Sequence, residues 1–127
     1  MKGKGVLPYV IFVGVAATFF AYGCSPAGDF GEPLSAAKET PITDVLDNPG
    51  EFQGKTVKVT GQIMTVDDDG LGFQLDNGSG TVIYVKVAGD FKVAKAARYH
   101  LTTAEGTVDV DGDTGKARIN AAGVNIK

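Results

Sequence analysis

The sequence predicts a mainly β protein: a small closed barrel of five strands with a short N-terminal helix, preceded by a helical signal segment. Three observations carry this. Five stretches alternate apolar and polar residues with a period of two, as half-buried strands do. Clusters of Gly, Asn and Asp separate them, within a chain that holds 18 glycines. Three strands, a connection and two more strands within about 75 residues suit a closed barrel, which leaves no exposed sheet edge.

Residues 1–23 read as a secretory signal peptide. MKGKG supplies Lys2 and Lys4, and Val6 to Tyr22 carries no charge. Small residues then precede Cys24, the only cysteine. A basic start, an apolar middle and a small-residue cleavage site define a secretory signal. The apolar run reaches the lower limit for spanning a bilayer, about 17 residues, so an uncleaved membrane anchor is the alternative. Residues 24–40 hold Cys24 and a stretch rich in Pro, Gly, Ser and Ala. They read as a flexible tether of about 20–24 Å r.m.s. span.

The folded domain is expected over residues 41–127. Thr40-Pro41 suits the start of a short helix, Thr as N-cap and Pro in the first turn. Ile42, Val45 and Leu46 share one face, and Asn48-Pro49-Gly50 ends the helix. From Lys55 to Met64, Val57, Val59 and Ile63 face one side while Lys58, Thr60 and Gln62 face the other. Gly61 in this strand predicts a bulge or sharp bend. Leu71, Phe73 and Leu75 form the core face of the second strand. Asp76-Asn77-Gly78-Ser79-Gly80 predicts a hairpin, because Asn and Gly accept positive φ. In the third strand, Thr81 to Val87, Ile83, Val85 and Val87 point inward, with Tyr84 and Lys86 outward. Residues 88–100 break the alternation and form a connection. The fourth strand is Leu101 to Val110. The fifth, Ala117 to Ile126, slips register near Ala121-Ala122-Gly123, which predicts a bulge.

Two resemblances sharpen this reading. Ala21-Tyr22-Gly23-Cys24 resembles the lipobox of bacterial lipoproteins. The resemblance implies a diacylglycerol thioether on Cys24, cleavage before it, and acyl chains such as palmitate holding the chain at a membrane. Two or more chains are needed for stable anchoring. Ser25 after the cysteine permits transfer to the outer membrane in two-membraned bacteria of the familiar sorting type, which favours its periplasmic face. Asn48-Pro49, Phe52, Gly54-Lys55, Gly61-Gln62, Gly72-Phe73-Gln74-Leu75 and Gly106-Thr107-Val108 resemble the small secreted OB-fold domains of bacteria and the anticodon-binding-like OB domains. That resemblance covers residues 41–127 and implies a five-stranded Greek-key barrel. Some secreted relatives carry a cysteine cluster between the first two strands. This chain has Val66 to Gly70 there, so no metal role is carried over.

Composition narrows the function. One cysteine and one histidine, His100, exclude a Cys-based zinc cluster and a multi-histidine site within the chain. Removing Lys2 and Lys4 leaves 10 basic against 15 acidic residues, a net charge of −5. Nucleic acid is therefore an unfavoured partner, since phosphate backbones need Lys and Arg. Asp109-x-Asp111-x-Asp113 begins like a calcium loop. The required Gly and bidentate Glu are replaced by Thr114 and Asn120. Asp67-Asp68-Asp69 would hold a cation only if folding brought Asp76 to it. His100 lacks the His-x-x-x-Tyr spacing of one OB-fold haem-chaperone family. No Ser in the mature chain sits in a nucleophile-elbow context. The expectation is a non-enzyme with no cofactor: a membrane-tethered interaction module with a protein partner in the cell envelope. The alternative is an oligonucleotide or oligosaccharide binder. The candidate binding residues are the outward Lys58, Gln62, Gln74, Tyr84, Lys86 and Arg118, where an aromatic ring and cations can stack and pair with a ligand.

Overall fold

A computed structural model describes residues 26–127; the signal peptide, Cys24 and Ser25 lie outside them. Six strands form: β1 Gly28–Gly31, β2 Thr56–Val66, β3 Gly72–Asp76, β4 Val82–Val87, β5 Leu101–Val110 and β6 Ala117–Ile126. Two short helices, α1 Ile42–Asp47 and α2 Pro49–Phe52, precede β2, and a 3-10 turn spans Lys95–Ala97. β2 to β6 close into a five-stranded barrel in the order β2-β3-β4-β6-β5-β2. Only the β4–β6 pairing is parallel. This is the OB-fold arrangement expected from the sequence.

Alternation places the core where the apolar positions predict. Val59, Ile63, Phe73, Leu75, Val85 and Ile119 are completely buried. A fully buried Phe or Leu side chain contributes about 1.5–3 kcal/mol through removal from water. The strand directions give the barrel two distinct ends. At one end lie the β2–β3 turn, the 88–100 connection, Lys127 and the lead into β1. Val93 and Ala97 fill this end. At the other lie the hairpins 77–81 and 111–116, and there Ile42 and Val45 of α1 join the core.

Several local expectations change. Thr40 does not cap α1 through its side chain; Pro41 is the N-cap. The Thr40 N–H instead donates to the Lys58 carbonyl at 2.7 Å and stitches the chain to β2. Asn48-Pro49-Gly50 ends α1 but also begins α2, with Pro49 in its first turn. The bulge in β2 lies between Ile63 and Thr65, not at Gly61. Gly61 permits close backbone approach: a Cβ there would lie 2.5 Å from the Asp76 carbonyl oxygen. Leu71 is 39% exposed rather than in the core. The turn at Gly70, at φ 74°, releases it before β3 begins. The predicted bulge in β6 is present: Glu105 faces Gly123 and Gly106 faces Ala121, so Ala122 is the extra residue.

The largest correction concerns the tether. Residues 28–31 form β1, antiparallel to β6, with Gly28 opposite Ile126 and Gly31 opposite Gly123. β4 pairs only with residues 118–121 of β6. The rest of that β6 edge would carry unpaired backbone groups, and β1 fills it. Beyond β1 the chain crosses the barrel as a strap. The Glu32 N–H donates to the Ala122 carbonyl at 2.9 Å. The Ser35 N–H donates to Glu105 Oε1 at 2.7 Å, and Ser35 Oγ donates to Glu105 Oε2. These bonds hold the Glu105 carboxyl below its usual pKa. Lys58 Nζ donates to the Ser35 carbonyl at 2.7 Å. Phe30 stacks with Phe91, centroids 6.2 Å apart. GDFG conceals this strand from pattern reading, because two of its four residues are glycine and one aromatic, Phe30, makes no alternation.

Gly31 is the point at which the strap can be tested. It has φ 74°, and a Cβ there would lie 2.2 Å from the Ala122 carbonyl oxygen and 2.6 Å from the Phe91 ring. Gly31→Ala is expected to detach β1 while the barrel remains folded, at a cost of about 1–3 kcal/mol. Hydrogen exchange checks it: the amides that join β1 to residues 123–126 lose protection, while those of the β2–β3 ladder keep theirs.

Candidate binding groove

Three of the predicted surface residues come together on adjacent strands. Gln74 of β3 lies opposite Tyr84 of β4, and Tyr84 lies beside Arg118 of β6. They line an open groove of about 380 Å³. Leu46 of α1 and Val82 at the start of β4 give it apolar contact. The β5–β6 hairpin adds Asp111, Thr114 and Lys116.

Tyr84 is held across the barrel surface. Its hydroxyl donates to Asp67 Oδ2 at 2.5 Å. The phenol occupies space left by Gly72, where a Cβ would lie 1.9 Å from the hydroxyl oxygen. Burial, and then the hydrogen bond to Asp67, push the Tyr84 hydroxyl up to about 12. Arg118 is also engaged. Its Nε and Nη2 donate to Asp109 Oδ2 at 3.0 and 2.7 Å. That carboxylate raises the Arg118 pKa further. The groove therefore offers a fixed aromatic face, the Gln74 amide and an orientated guanidinium, with two of its polar groups already partnered within the chain.

The other predicted residues separate from this group. Lys86 is exposed on β4, opposite Gly72 and Asn120, two residues beyond Tyr84 and outside the groove lining. Lys58 holds the strap through Ser35. Gln62 donates to the Tyr99 carbonyl at 3.0 Å and fixes the 88–100 connection. Both lie on β2, so a single six-residue surface does not form. Pattern reading places all six outward, but the barrel's curvature divides them. It misses Leu46, Val82, Asp111, Thr114 and Lys116 because groove membership depends on closure.

The acidic alternatives also separate. Asp67 accepts from Tyr84, and Lys95 pairs with Asp68 at 2.5 Å. This ion pair lowers the Asp68 pKa. Asp76 ends β3 and caps the next hairpin, accepting from the Gly78 N–H at 2.6 Å. The length of β3 keeps Asp76 from the Asp67–Asp69 turn. Among the described residues, no group of three or more His, Cys, Asp or Glu side chains converges to hold a metal ion. His100 Nδ1 lies 2.6 Å from the Lys127 carbonyl oxygen and joins the β5 approach to the end of β6.

No protein-family model matches this chain, and no curated protein matches it. Solved structures do share its fold. The hypothetical protein ygiW from E. coli is 17% identical, with a TM-score of 0.52, covering 77% of this chain and 97% of its own. A "putative aspartyl-tRNA synthetase" from Leishmania major Friedlin is 15% identical, with a TM-score of 0.56. That match covers 90% of this chain but only 26% of the synthetase. OBody AM3L09, bound to hen egg-white lysozyme, is 20% identical with a TM-score of 0.52. It covers 72% of this chain and 96% of its own. At these identities the likeness establishes the OB-fold and not a ligand.

Tyr84 gives the groove a measurable signature. Because its hydroxyl holds its proton more tightly in the folded state than in the unfolded one, the associated stability is fully present below about pH 10. It falls as pH rises from there towards about 12, the folded value. Tyrosinate absorbance is expected to show a step near that value, and Tyr84→Phe removes it. A Tyr84 titration at its ordinary value would contradict the described environment.

Proposed function

We propose that this protein is a lipid-anchored extracytoplasmic OB-fold module that binds a protein partner of the cell envelope through the Gln74–Tyr84–Arg118 groove. The observation that carries the binding reading is the groove's mixture of apolar edge and already-partnered polar groups. Leu46 and Val82 provide contact area, while Asp109 balances Arg118. A desolvated aromatic ring beside a guanidinium is the kind of anchor on which protein interfaces concentrate their binding energy. The OBody neighbours, bound to lysozyme, show the same barrel fold carrying a protein ligand.

An oligonucleotide is less suited to this surface. Arg118 is tied to a carboxylate, Asp111 lies beside it, and the domain is acidic overall. Counterion release upon phosphate binding would have little to draw on. An oligosaccharide is compatible with Tyr84 and Gln74, and is the second reading. The envelope location is supported by Lys2 and Lys4, the uncharged run to Tyr22, and Ala21-x-Gly23-Cys24.

Two measurements test this reading. Mass spectrometry of protein from its native membrane is expected to find residues 1–23 absent and a lipid on Cys24. Unmodified Cys24 with those residues attached would remove the anchor. A photocrosslinker in place of Gln74 is expected to yield one discrete protein adduct in intact cells. Adding Tyr84→Ala or Arg118→Ala should reduce it by about tenfold or more, as loss of an interface anchor does. A saccharide adduct would favour the second reading, and an adduct indifferent to both substitutions would contradict the groove.

A further inference from the structure

We infer that the barrel end bearing Tyr99 and Leu101 docks on the membrane that carries its lipid anchor. This rests on the reading of Cys24 as lipidated and adds the orientation of the bound domain. Three residues, Ser25, Pro26 and Ala27, separate Cys24 from Gly28, so the two Cα atoms lie at most about 14 Å apart when the chain is fully extended. Gly28 is already paired to the barrel, opposite Ile126, whose other neighbour is Thr102. β1 runs antiparallel to β6, so the chain towards Cys24 leaves by the end where β5 begins. The anchor therefore holds one defined end of the domain near the bilayer.

The surface at that end suits a lipid boundary. The described residues include four exposed large hydrophobics: Leu71, Val82, Tyr99 and Leu101. Three of them lie at this end, and only Val82 lies at the other. Tyr99 is 55% exposed and Leu101 49%. Tyr99 also holds φ 74°, the only positive φ among the described non-glycine residues. An exposed aromatic retained in a left-handed backbone position calls for a role outside core packing. Its N–H donates to the Ile63 carbonyl at 2.6 Å, and its carbonyl accepts from Gln62. The Arg98 guanidinium lies 4.7 Å from the Tyr99 ring centroid, while Arg98 Nε donates to the Met64 carbonyl. This presents an amphipathic ring beside a cation, an arrangement suited to the headgroup boundary.

Charge fixes which side of this end approaches. In the 88–100 connection Lys92 and Lys95 line one hollow with Asp67, Asp68 and Asp69, which leaves Arg98, against the Tyr99 ring, as the cation on the Tyr99–Leu101 side. Lys127 adds another cation beside Leu101, to whose carbonyl its N–H donates at 2.9 Å. Asp67, Asp68 and Asp69 lie at the same end, on the β2–β3 turn, and Asp68 is paired with Lys95. The domain consequently tips so that Tyr99, Leu101 and Arg98 meet headgroups and the acidic turn faces water. The binding groove, flanked by Leu46, Val82 and the 111–116 hairpin, then opens towards the other end of the barrel, with Val82 three strand pairings from Leu101 through Asp76 and Gln62.

The experiment uses the full lipidated chain in phosphatidylethanolamine–phosphatidylglycerol vesicles containing brominated acyl chains. With the Cys24 sulfur held in a thioether, an introduced cysteine is the only thiol and accepts one fluorescent label. Leu101→Cys is expected to show at least about twofold stronger quenching by the brominated lipid than Val82→Cys, because bromine reports on burial at the acyl boundary. Lys127→Cys, beside Leu101, supplies a second reporter at the docking side should the Leu101 variant not fold. Arg98→Glu should weaken quenching at position 101. Equal quenching at the two ends, with lipid on Cys24 verified by mass spectrometry, overturns the docking and leaves the anchor standing. Unmodified Cys24 overturns both.

Discussion

The whole arrangement depends on satisfying both edges of β6. This strand is paired along one side by β5, but β4 covers only residues 118–121 of the other. A backbone edge left unpaired beside a packed core is costly and sticky. β1 takes the remaining register, from Gly123 to Ile126. Closing the barrel therefore recruits a segment whose composition suggests a free linker. The bulge at Ala122 is part of the same solution, because its carbonyl accepts the Glu32 N–H where β1 gives way to the strap.

Much of the barrel was legible because a half-buried strand writes its geometry as alternation. Leu101–Val110 and Ala117–Ile126 have the bounds their patterns suggest, and the bulge in β6 lies where that pattern slips. Leu71 misled because it continues the parity of Phe73 and Leu75 across a turn that parity alone does not reveal. β1 was illegible for a different reason. Its four residues are too few, and two of them are glycine, for the alternation of a half-buried strand to show.

The groove was legible in part. Gln74, Tyr84 and Arg118 could be recognised as outward residues, but joining them required the parallel β4–β6 register. The Asp109–Arg118 pair was within reach of the sequence, since the two positions lie symmetrically about the 111–116 hairpin. The Tyr84–Asp67 bond was not. It needs the β2 bulge, the Gly72 gap and the β3–β4 register together. The same bonds limit what the surface can do. A guanidinium already facing Asp109 contributes direction more than spare charge, so shape and apolar contact carry more of the discrimination.

The pairing of β1 with β6 also bears on the order of assembly. Asp29 and Asn125, bonded side chain to side chain across these strands, are 96 residues apart. Contacts so distant along the chain close large loops and form slowly. During synthesis, Gly28–Gly31 emerges long before its partner exists. Until the final strand is made, the future β1 remains without its native ladder and the barrel remains open. Completion of the fold is thus tied to completion of residues 117–126, and the earliest described strand is among the last to find its place.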